Sequence, residues 1–237
     1  MTRLPIPIFA KAAVAAMVLA ATSPCLAADA AHPLVLELFQ SQGCSSCPPA
    51  NANVIALADR PDILALSFGV TYWDQLGWKD TFASPRFTAR QWDYARGLGH
   101  ADVFTPQVVI NGRRDGVGAD PRELRALIAA GERGDGGPTV AQQGPVVTLS
   151  AAAPPAKPAD VWLVRYDPRT VQVPIKRGEN GGKTLPHRNV VKQLLRLGGW
   201  TGGAERLALP PAADPTWRAA ILIQSPNGGP IFAAARL

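Results

Sequence analysis

The most constraining feature of this chain is a pair of cysteines, Cys44 and Cys47, three positions apart at a strand-to-helix junction. The apolar run Leu34–Phe39 precedes them and is typical of a buried strand. Pro48 and Pro49 follow directly, and because proline is tolerated only in the first turn of a helix, the helix must begin at the serine pair between the cysteines. A helix N-terminus lowers the pKa of a thiol, and only the thiolate is nucleophilic. The spacing therefore predicts a dithiol that can close on itself, with its first sulfur exposed at the helix start.

Residues 1–27 predict a secretory signal peptide. A basic start precedes the apolar stretch Ala12–Ala21, which is followed by small residues. Cleavage is expected after Ala27, or alternatively after Ala30, and a lipid-attachment site at Cys25 is a third reading. The apolar stretch is shorter than the roughly 20 residues of a membrane span, so no integral membrane segment is expected after cleavage. We therefore expect export to a bacterial periplasm or secretion, where disulfides persist.

The charge balance argues against nucleic-acid binding. The chain has 24 basic and 18 acidic residues, and loss of the two basic residues in the predicted signal leaves 22 against 18, a net charge of +4. The basic residues are scattered along the sequence without a run or an aromatic-interleaved stripe. A solvated surface is the simpler interpretation.

The first half of the mature sequence predicts an α/β domain over residues 32–131. Strands and helices alternate, which indicates a mixed sheet with parallel pairs and helices on both faces. In chain order, the predicted elements are strand 34–39, helix 50–59, strand 63–70, a helix from Pro85 to Leu98 capped by Ser84, strand 103–110, a hairpin at Asn111–Gly112, a return strand 115–118, and helix 122–130.

The second half has a different character. Residues 132–144 are rich in Gly, Pro and polar side chains and predict an interdomain linker. Residues 145–237 carry short β-rich runs separated by turn residues, which predict a smaller, mainly-β domain in the form of a sandwich or barrel. These runs are 146–151, 161–166, 170–175, 206–209, 219–224 and 231–235. Residues 188–197 fit either a helix or a strand, and we take them as a further strand.

A second motif, Phe104–Gly112, contains Thr105-Pro106 and ends in the Asn-Gly turn. Together with the cysteine pair it resembles the thioredoxin superfamily, in which a cis-proline begins a strand opposite the dithiol. The resemblance implies that Cys44 is the nucleophile, Cys47 the resolving cysteine and Pro106 the cis-proline, and that Thr105 aligns an extended substrate. Three features depart from common thioredoxins. The dipeptide between the cysteines is Ser-Ser, and Gly43 stands where common thioredoxins carry an aromatic residue. The span from Cys47 to Pro106 is longer than in a minimal thioredoxin, because it contains the aromatic insertion Tyr72–Phe82.

A longer pattern is more specific. The stretches ELFxSQGCSSCPPA, YWDxLGWKDxFAS and TPQ, together with Arg188–Val191 in the second half, resemble an exported bacterial family known as domain of unknown function 1223. That resemblance covers nearly the whole mature chain. It implies a thioredoxin-like fold and says little about substrate.

These motifs favour an exported thiol–disulfide oxidoreductase that acts on exported proteins or small-molecule thiols and disulfides. No organic cofactor is expected, because the dithiol itself stores two electrons. The main alternative is a non-catalytic binding protein on the same scaffold, with a structural Cys44–Cys47 disulfide. A copper or other metal chaperone is a third reading, although a metal site needs three or four ligands and His32, His100 and His187 stand alone in the sequence.

The aromatic insertion Tyr72–Phe82 has two interpretations. Trp73 and Trp78 could line a substrate groove beside the cysteines, or they could pack the insertion onto the sheet. Ser45 and Ser46 are expected to cap the predicted helix with their hydroxyls. No Ser/His/Asp spacing in the sequence supports a hydrolase.

Overall fold

A computed structural model describes residues 28–131 and 137–237, so the predicted signal peptide lies outside the described residues. The first half forms four strands and three helices: β1 (Leu34–Gln40), α1 (Cys47–Ile55), β2 (Ile63–Gly69), α2 (Pro85–Leu98), β3 (Gln107–Ile110), β4 (Arg114–Gly116) and α3 (Pro121–Ala130), with a 3-10 turn at Asp74–Leu76. The second half forms β5 (Val140–Gln143), β6 (Val146–Leu149), β7 (Ala159–Asp167), β8 (Val171–Pro174), β9 (Thr184–His187), β10 (Val190–Trp200), β11 (Glu205–Ala208), β12 (Arg218–Gln224) and β13 (Ile231–Arg236). None of the described helices has the length and apolar character needed to cross a bilayer.

Eight strands form one mixed sheet in the order β13-β12-β7-β10-β2-β1-β3-β4. Strands β1 and β2 are parallel, whereas β3 pairs antiparallel with both β1 and β4. Every residue of β1 and β2 is buried, as expected for parallel strands that are covered on both faces. The fold is therefore mixed α/β with a large mixed sheet and a few helices.

The helices cover both faces of the first half. Alternate side chains of β1, such as Leu36 and Leu38, pack against α1 and α3 through Ala50, Val54 and Leu124. The opposite face of the sheet, which includes Val35 and Phe39, packs against Phe87 and Tyr94 of α2. This division follows from the two-residue period of a strand. It places α1, and with it the cysteine pair, on the same face as α3.

The second half continues the sheet of the first. Strand β10 lies beside β2, where Val190 pairs with Ser67, and the Ser67 amide donates to the Asn189 carbonyl at 3.0 Å. A separate three-stranded sheet, β11-β6-β5, packs through Val147 and Leu149 onto the β7 and β12 part of the large sheet. Residues 145–237 thus contribute two facing layers, one of which is continuous with the first half. Within the predicted linker 132–144, residues 140–143 form β5, and 132–136 lie outside the described residues.

Helix α2 is anchored from inside the sheet by a buried ion pair. Arg90 donates to both carboxylate oxygens of Glu37, at 2.7 and 3.0 Å, and the Tyr94 hydroxyl also bonds to Glu37. All three side chains are buried. The next residue on the helix, Gln91, donates 2.8 Å to the carbonyl of Phe104, so the same helix positions the loop that leads into β3.

Candidate functional site

The two cysteines lie at the edge of the sheet where β1 passes into α1. Cys47 is the first residue of the helix, and Cys44 lies in the preceding turn, with the two Cα atoms 5.4 Å apart and the sulfurs joined as a disulfide. The expectation of an exposed first sulfur is wrong for this oxidised site, because Cys44 is 0% exposed and Cys47 is 1% exposed. Any reagent that attacks this disulfide must first displace the residues that cover it.

A cis peptide bond joins Thr105 and Pro106 directly opposite the disulfide, as the resemblance implies. Ser46 connects the two sides. Its hydroxyl lies 3.3 Å from the Cys44 sulfur and 3.4 Å from the Thr105 carbonyl oxygen. Ser46 stands at the N-cap position of α1 but makes no side-chain capping bond, so the expectation that this hydroxyl caps the helix is wrong. Its contacts belong to the disulfide instead.

Trp73 contributes to the site through Thr105. The indole Nε1–H of Trp73 donates 2.7 Å to the Thr105 hydroxyl oxygen, and that hydroxyl lies 3.4 Å from the Cys44 sulfur. An indole can only donate, so the Thr105 oxygen accepts from it and the Thr105 proton is directed at the sulfur. The result is a donor chain from Trp73 through Thr105 to Cys44, which favours negative charge on that sulfur.

Trp78 is bonded to the turn before the cysteines and, within the described part of the chain, makes no hydrogen bond to a residue that contacts the Cys44 sulfur. Its indole donates 2.9 Å to the side-chain oxygen of Gln42, two residues before Cys44. The buried carboxylate of Asp80 accepts 2.7 Å bonds from the amides of Gln42 and Phe82, and burial raises its pKa. The insertion therefore forms a wall that is bonded to the turn before the dithiol. Trp73 reaches the sulfur through one hydroxyl, whereas Trp78 supports the wall.

A segment from the second half closes the site. We call residues 176–183, the loop between β8 and β9, the strap. The side chain of Asn180, which is 0% exposed, donates to the carbonyls of Gln42 at 3.0 Å and Cys44 at 2.8 Å. The carboxylate of Glu179 accepts 3.0 Å from the Ser45 amide, and bonds from Ser45 lower the pKa of Glu179. Neither strap residue carries a local sequence pattern that ties it to cysteines more than 130 positions away.

A buried polar cluster lies behind the first turns of α1. The side-chain nitrogen of Gln40 contacts Ser67 at 2.7 Å, Asn51 at 3.2 Å and Nδ1 of His187 at 3.3 Å. Because the Gln40 nitrogen is a donor, His187 Nδ1 accepts and its proton is assigned to Nε2, which has no partner among the described residues. Asn51 follows Cys47 by one helical turn, so this cluster lies on the inner side of the dithiol helix.

Burial lowers the pKa of His187 to about 4. The unfolded chain therefore binds this proton near pH 6.5 and the folded chain only near pH 4, so stability is fully present above pH 6.5 and is lost as the pH falls below it. From pH 7 to pH 4 we expect His187 to account for a loss of about 3 kcal/mol in unfolding free energy. Urea unfolding of the wild type and of a His187→Gln variant at pH 7 and pH 4 measures this loss. Between the two pH values the variant should lose about 3 kcal/mol less unfolding free energy than the wild type. Equal losses would contradict it.

The other two histidines lie away from the dithiol. His32 contacts Asp29 near the start of the described chain, and His100 contacts Asp115 at 2.8 Å. Across residues 28–131 and 137–237, no three His, Cys, Asp or Glu side chains are grouped as metal ligands would be. The structure thus brings together Cys44, Cys47, Thr105, Pro106 and Trp73. It adds to them Ser46 and the strap residues Glu179 and Asn180, which the sequence did not indicate as site residues.

Two solved structures and one family model are similar to this chain. A crystal structure of protein AGR_C_4864 from Agrobacterium tumefaciens has a TM-score of 0.69 at 32% identity, covering 89% of this chain and 94% of that one. HBP35 of Porphyromonas gingivalis has a TM-score of 0.56 at 14% identity, covering 87% of this chain and 74% of that one, a likeness of fold alone. No curated protein matches. Residues 35–224 match the family described as "Protein of unknown function (DUF1223)", and the chain therefore belongs to the DUF1223 family.

Proposed function

We propose that this protein is an exported, thioredoxin-like thiol–disulfide oxidoreductase whose reactive group is the Cys44–Cys47 pair. One observation carries the proposal. The Cys44–Cys47 pair at the start of α1 lies beside the cis peptide bond before Pro106, and the hydroxyl of Thr105 donates toward the Cys44 sulfur. A permanent disulfide needs no hydrogen-bond donor directed at its sulfur. A sulfur that becomes a thiolate during a reaction does.

The chemistry is exchange of two electrons. In the reducing direction, the Cys44 thiolate attacks a substrate disulfide, a Cys44–substrate bond forms, and the other substrate sulfur leaves as a thiolate. The Cys47 thiolate then attacks the Cys44 sulfur, the Cys44–Cys47 bond forms, and the second substrate sulfur leaves. The substrate gains two electrons and the dithiol loses two. The reverse sequence oxidises a substrate dithiol and reduces the protein disulfide.

Three groups would stabilise the Cys44 thiolate. The hydroxyls of Thr105 and Ser46 lie 3.4 and 3.3 Å from the sulfur, and the N-terminus of α1 adds its partial positive charge. Two prolines in the first turn donate nothing, so the Thr105 hydroxyl supplies a donor that the helix start lacks. Ser46 would supply a second donor by turning its single proton from the Thr105 carbonyl to the sulfur. Cys47, the first residue of α1 and bonded to Cys44, fits the resolving role.

A second candidate is a non-catalytic binding protein in which the disulfide is permanently closed. The burial of both cysteines favours this candidate, since a disulfide without exposed sulfur does not meet a thiolate in solution. The two functions differ in what the disulfide must do. An exchange enzyme needs a disulfide that can be reduced and reached, whereas a structural bond needs neither property.

A redox titration of the mature protein separates the two functions. The protein is equilibrated in buffers of defined thiol–disulfide ratio, and the reduced fraction is then measured by alkylation and mass spectrometry. We expect a midpoint between roughly −120 and −270 mV, the range of catalytic dithiols. A midpoint below about −300 mV would assign the disulfide to the structural class and reject the exchange function.

A further inference from the structure

We infer that the strap, residues 176–183, is a self-inhibitory cover that must swing away before a disulfide-bearing polypeptide can reach Cys44. This inference rests on the proposed function for its biological meaning. Its physical content is that the strap controls access to the disulfide, and that can be measured whether or not the protein is an enzyme.

The strap is bonded to the dithiol turn at three points. Asn180 donates to the carbonyls on either side of Gly43, those of Gln42 and Cys44, and Glu179 accepts from the amide of Ser45. These bonds engage main-chain groups around the first cysteine. A substrate polypeptide that approaches Cys44 would need the same face of the turn, so the strap occupies the place of a substrate.

Asn180 is held in the orientation that this closure needs. Lys183 donates 2.9 Å to the side-chain oxygen of Asn180, which leaves both amide hydrogens for the carbonyls of Gln42 and Cys44. The buried amide is thus fully paired. Its burial is compatible with a closed state of defined geometry rather than with a loop resting loosely on the surface.

The rest of the strap buries little surface, and Gly178 is the point where it lies against Trp78 of the insertion. Asn180 is its only buried residue, and the flanking Lys176, Arg177 and Lys183 are exposed. The two ends are tied together, because the amides of Ile175 and Gly182 each bond across the base of the loop at 2.8 Å. A loop with a closed base and little buried apolar surface can open as a unit without unfolding the strands that carry it.

The test is the rate at which dithiothreitol reduces the disulfide of the oxidised mature protein, followed by quenched alkylation and mass spectrometry. Asn180→Ala removes both bonds to the dithiol turn and also the bond from Lys183, and it should raise this rate by about tenfold or more, because the rate follows the open population. Its matched control is Asn53→Ala, since Asn53 also donates to two main-chain carbonyls, those of Gly118 and Ala119, away from the strap. The control rate should stay within about twofold of wild type.

Glu179→Ala provides a second variant at an exposed position, where a folding defect is not expected. It should raise the rate by about three- to fivefold, and Glu123→Ala, which removes a similar carboxylate-to-amide bond at Val117, should leave it unchanged. If Asn180→Ala does not fold, the comparison of Glu179→Ala with Glu123→Ala tests the inference alone. Rates in folded strap variants equal to those of their controls would overturn the inference. Faster reduction combined with a midpoint below about −300 mV would uphold the strap and reject the oxidoreductase.

Discussion

A Cys47→Ser variant is expected to accumulate a stable mixed disulfide on Cys44 when it is incubated with a short disulfide-bonded peptide. Cys44 can still attack, but the sulfur that would release the substrate is missing. A Cys44→Ser variant should lose exchange activity by at least about 1,000-fold, because a serine hydroxyl in this position is not a competent nucleophile toward disulfides. Intact-mass measurement of both variants, followed by peptide mapping, identifies the sulfur that carries the adduct.

The assignment of roles depends on the difference between these two variants. The hydrogen bond from Thr105 reaches the sulfur of Cys44, which is why Cys44 is assigned as the nucleophile. Cys47 is the first residue of α1 and is assigned as the resolving cysteine. Equal adduct yields on the two single variants would contradict the role of Cys44 as nucleophile. The double variant, with both cysteines replaced by serine in protein expressed without residues 1–27, controls for labelling elsewhere and should carry no adduct.

The largest effect on stability is expected at the buried ion pair beneath α2. Arg90→Ala would leave the carboxylate of Glu37 buried without its main partner, which typically costs about 3–5 kcal/mol. The guanidinium also stacks near the rings of Tyr94 and Trp162, with centroids 5.1 and 5.6 Å away, so the truncation removes packing as well. Urea unfolding at pH 7 measures the change.

An exposed ion pair gives the matched control for this prediction. Arg60 bonds Asp62 at the surface, and its side chain is 51% exposed, so Arg60→Ala should change the unfolding free energy by only about 0–1 kcal/mol. A loss below about 1 kcal/mol for Arg90→Ala would contradict the ion pair's role in anchoring α2. Because Gln91 of that helix holds the loop before Thr105, the variant should also loosen the dithiol site.

The sequence predicts best those elements that are set by neighbouring residues. Ser84 and Pro85 indicate the start of α2, and the Ser84 side chain does accept from the Arg86 amide. The apolar runs of β1 and β2 predict buried strands because their composition requires cover on both faces. The cis-proline followed from the family resemblance, since local propensity alone favours the trans isomer.

The sequence predicts least where distant segments meet. Strand β9 has a proline and a histidine in four residues, and its pairing with β8 carries no clear strand pattern. The join of β10 to β2 rests on groups more than 120 residues apart, including the 2.8 Å bond from Asn189 to the Ala65 carbonyl. Likewise, the Cys44 carbonyl accepts a bond from Asn180, and no local rule connects an asparagine in a glycine-rich loop with a cysteine so far away.

The departure at Gly43 also has a physical reading. Trp73 of the insertion lies against this glycine, since a Cβ placed on Gly43 would be 3.7 Å from the Trp73 Cβ. An aromatic side chain is thus supplied beside the first cysteine by a different segment of the chain. The insertion that the sequence marked as unusual therefore forms part of the site.

The most direct test of the account is the pH dependence of Cys44 alkylation in the reduced protein expressed without residues 1–27. Iodoacetamide is used at a series of pH values, and labels on Cys44 and Cys47 are distinguished by fragment-ion masses of the one peptide that contains both. The donor chain and the helix start predict a Cys44 midpoint at or below about pH 7.5 and faster labelling of Cys44 than of Cys47. A midpoint at or above about 8.5, the value of a free cysteine, or no labelling without denaturant, would contradict it.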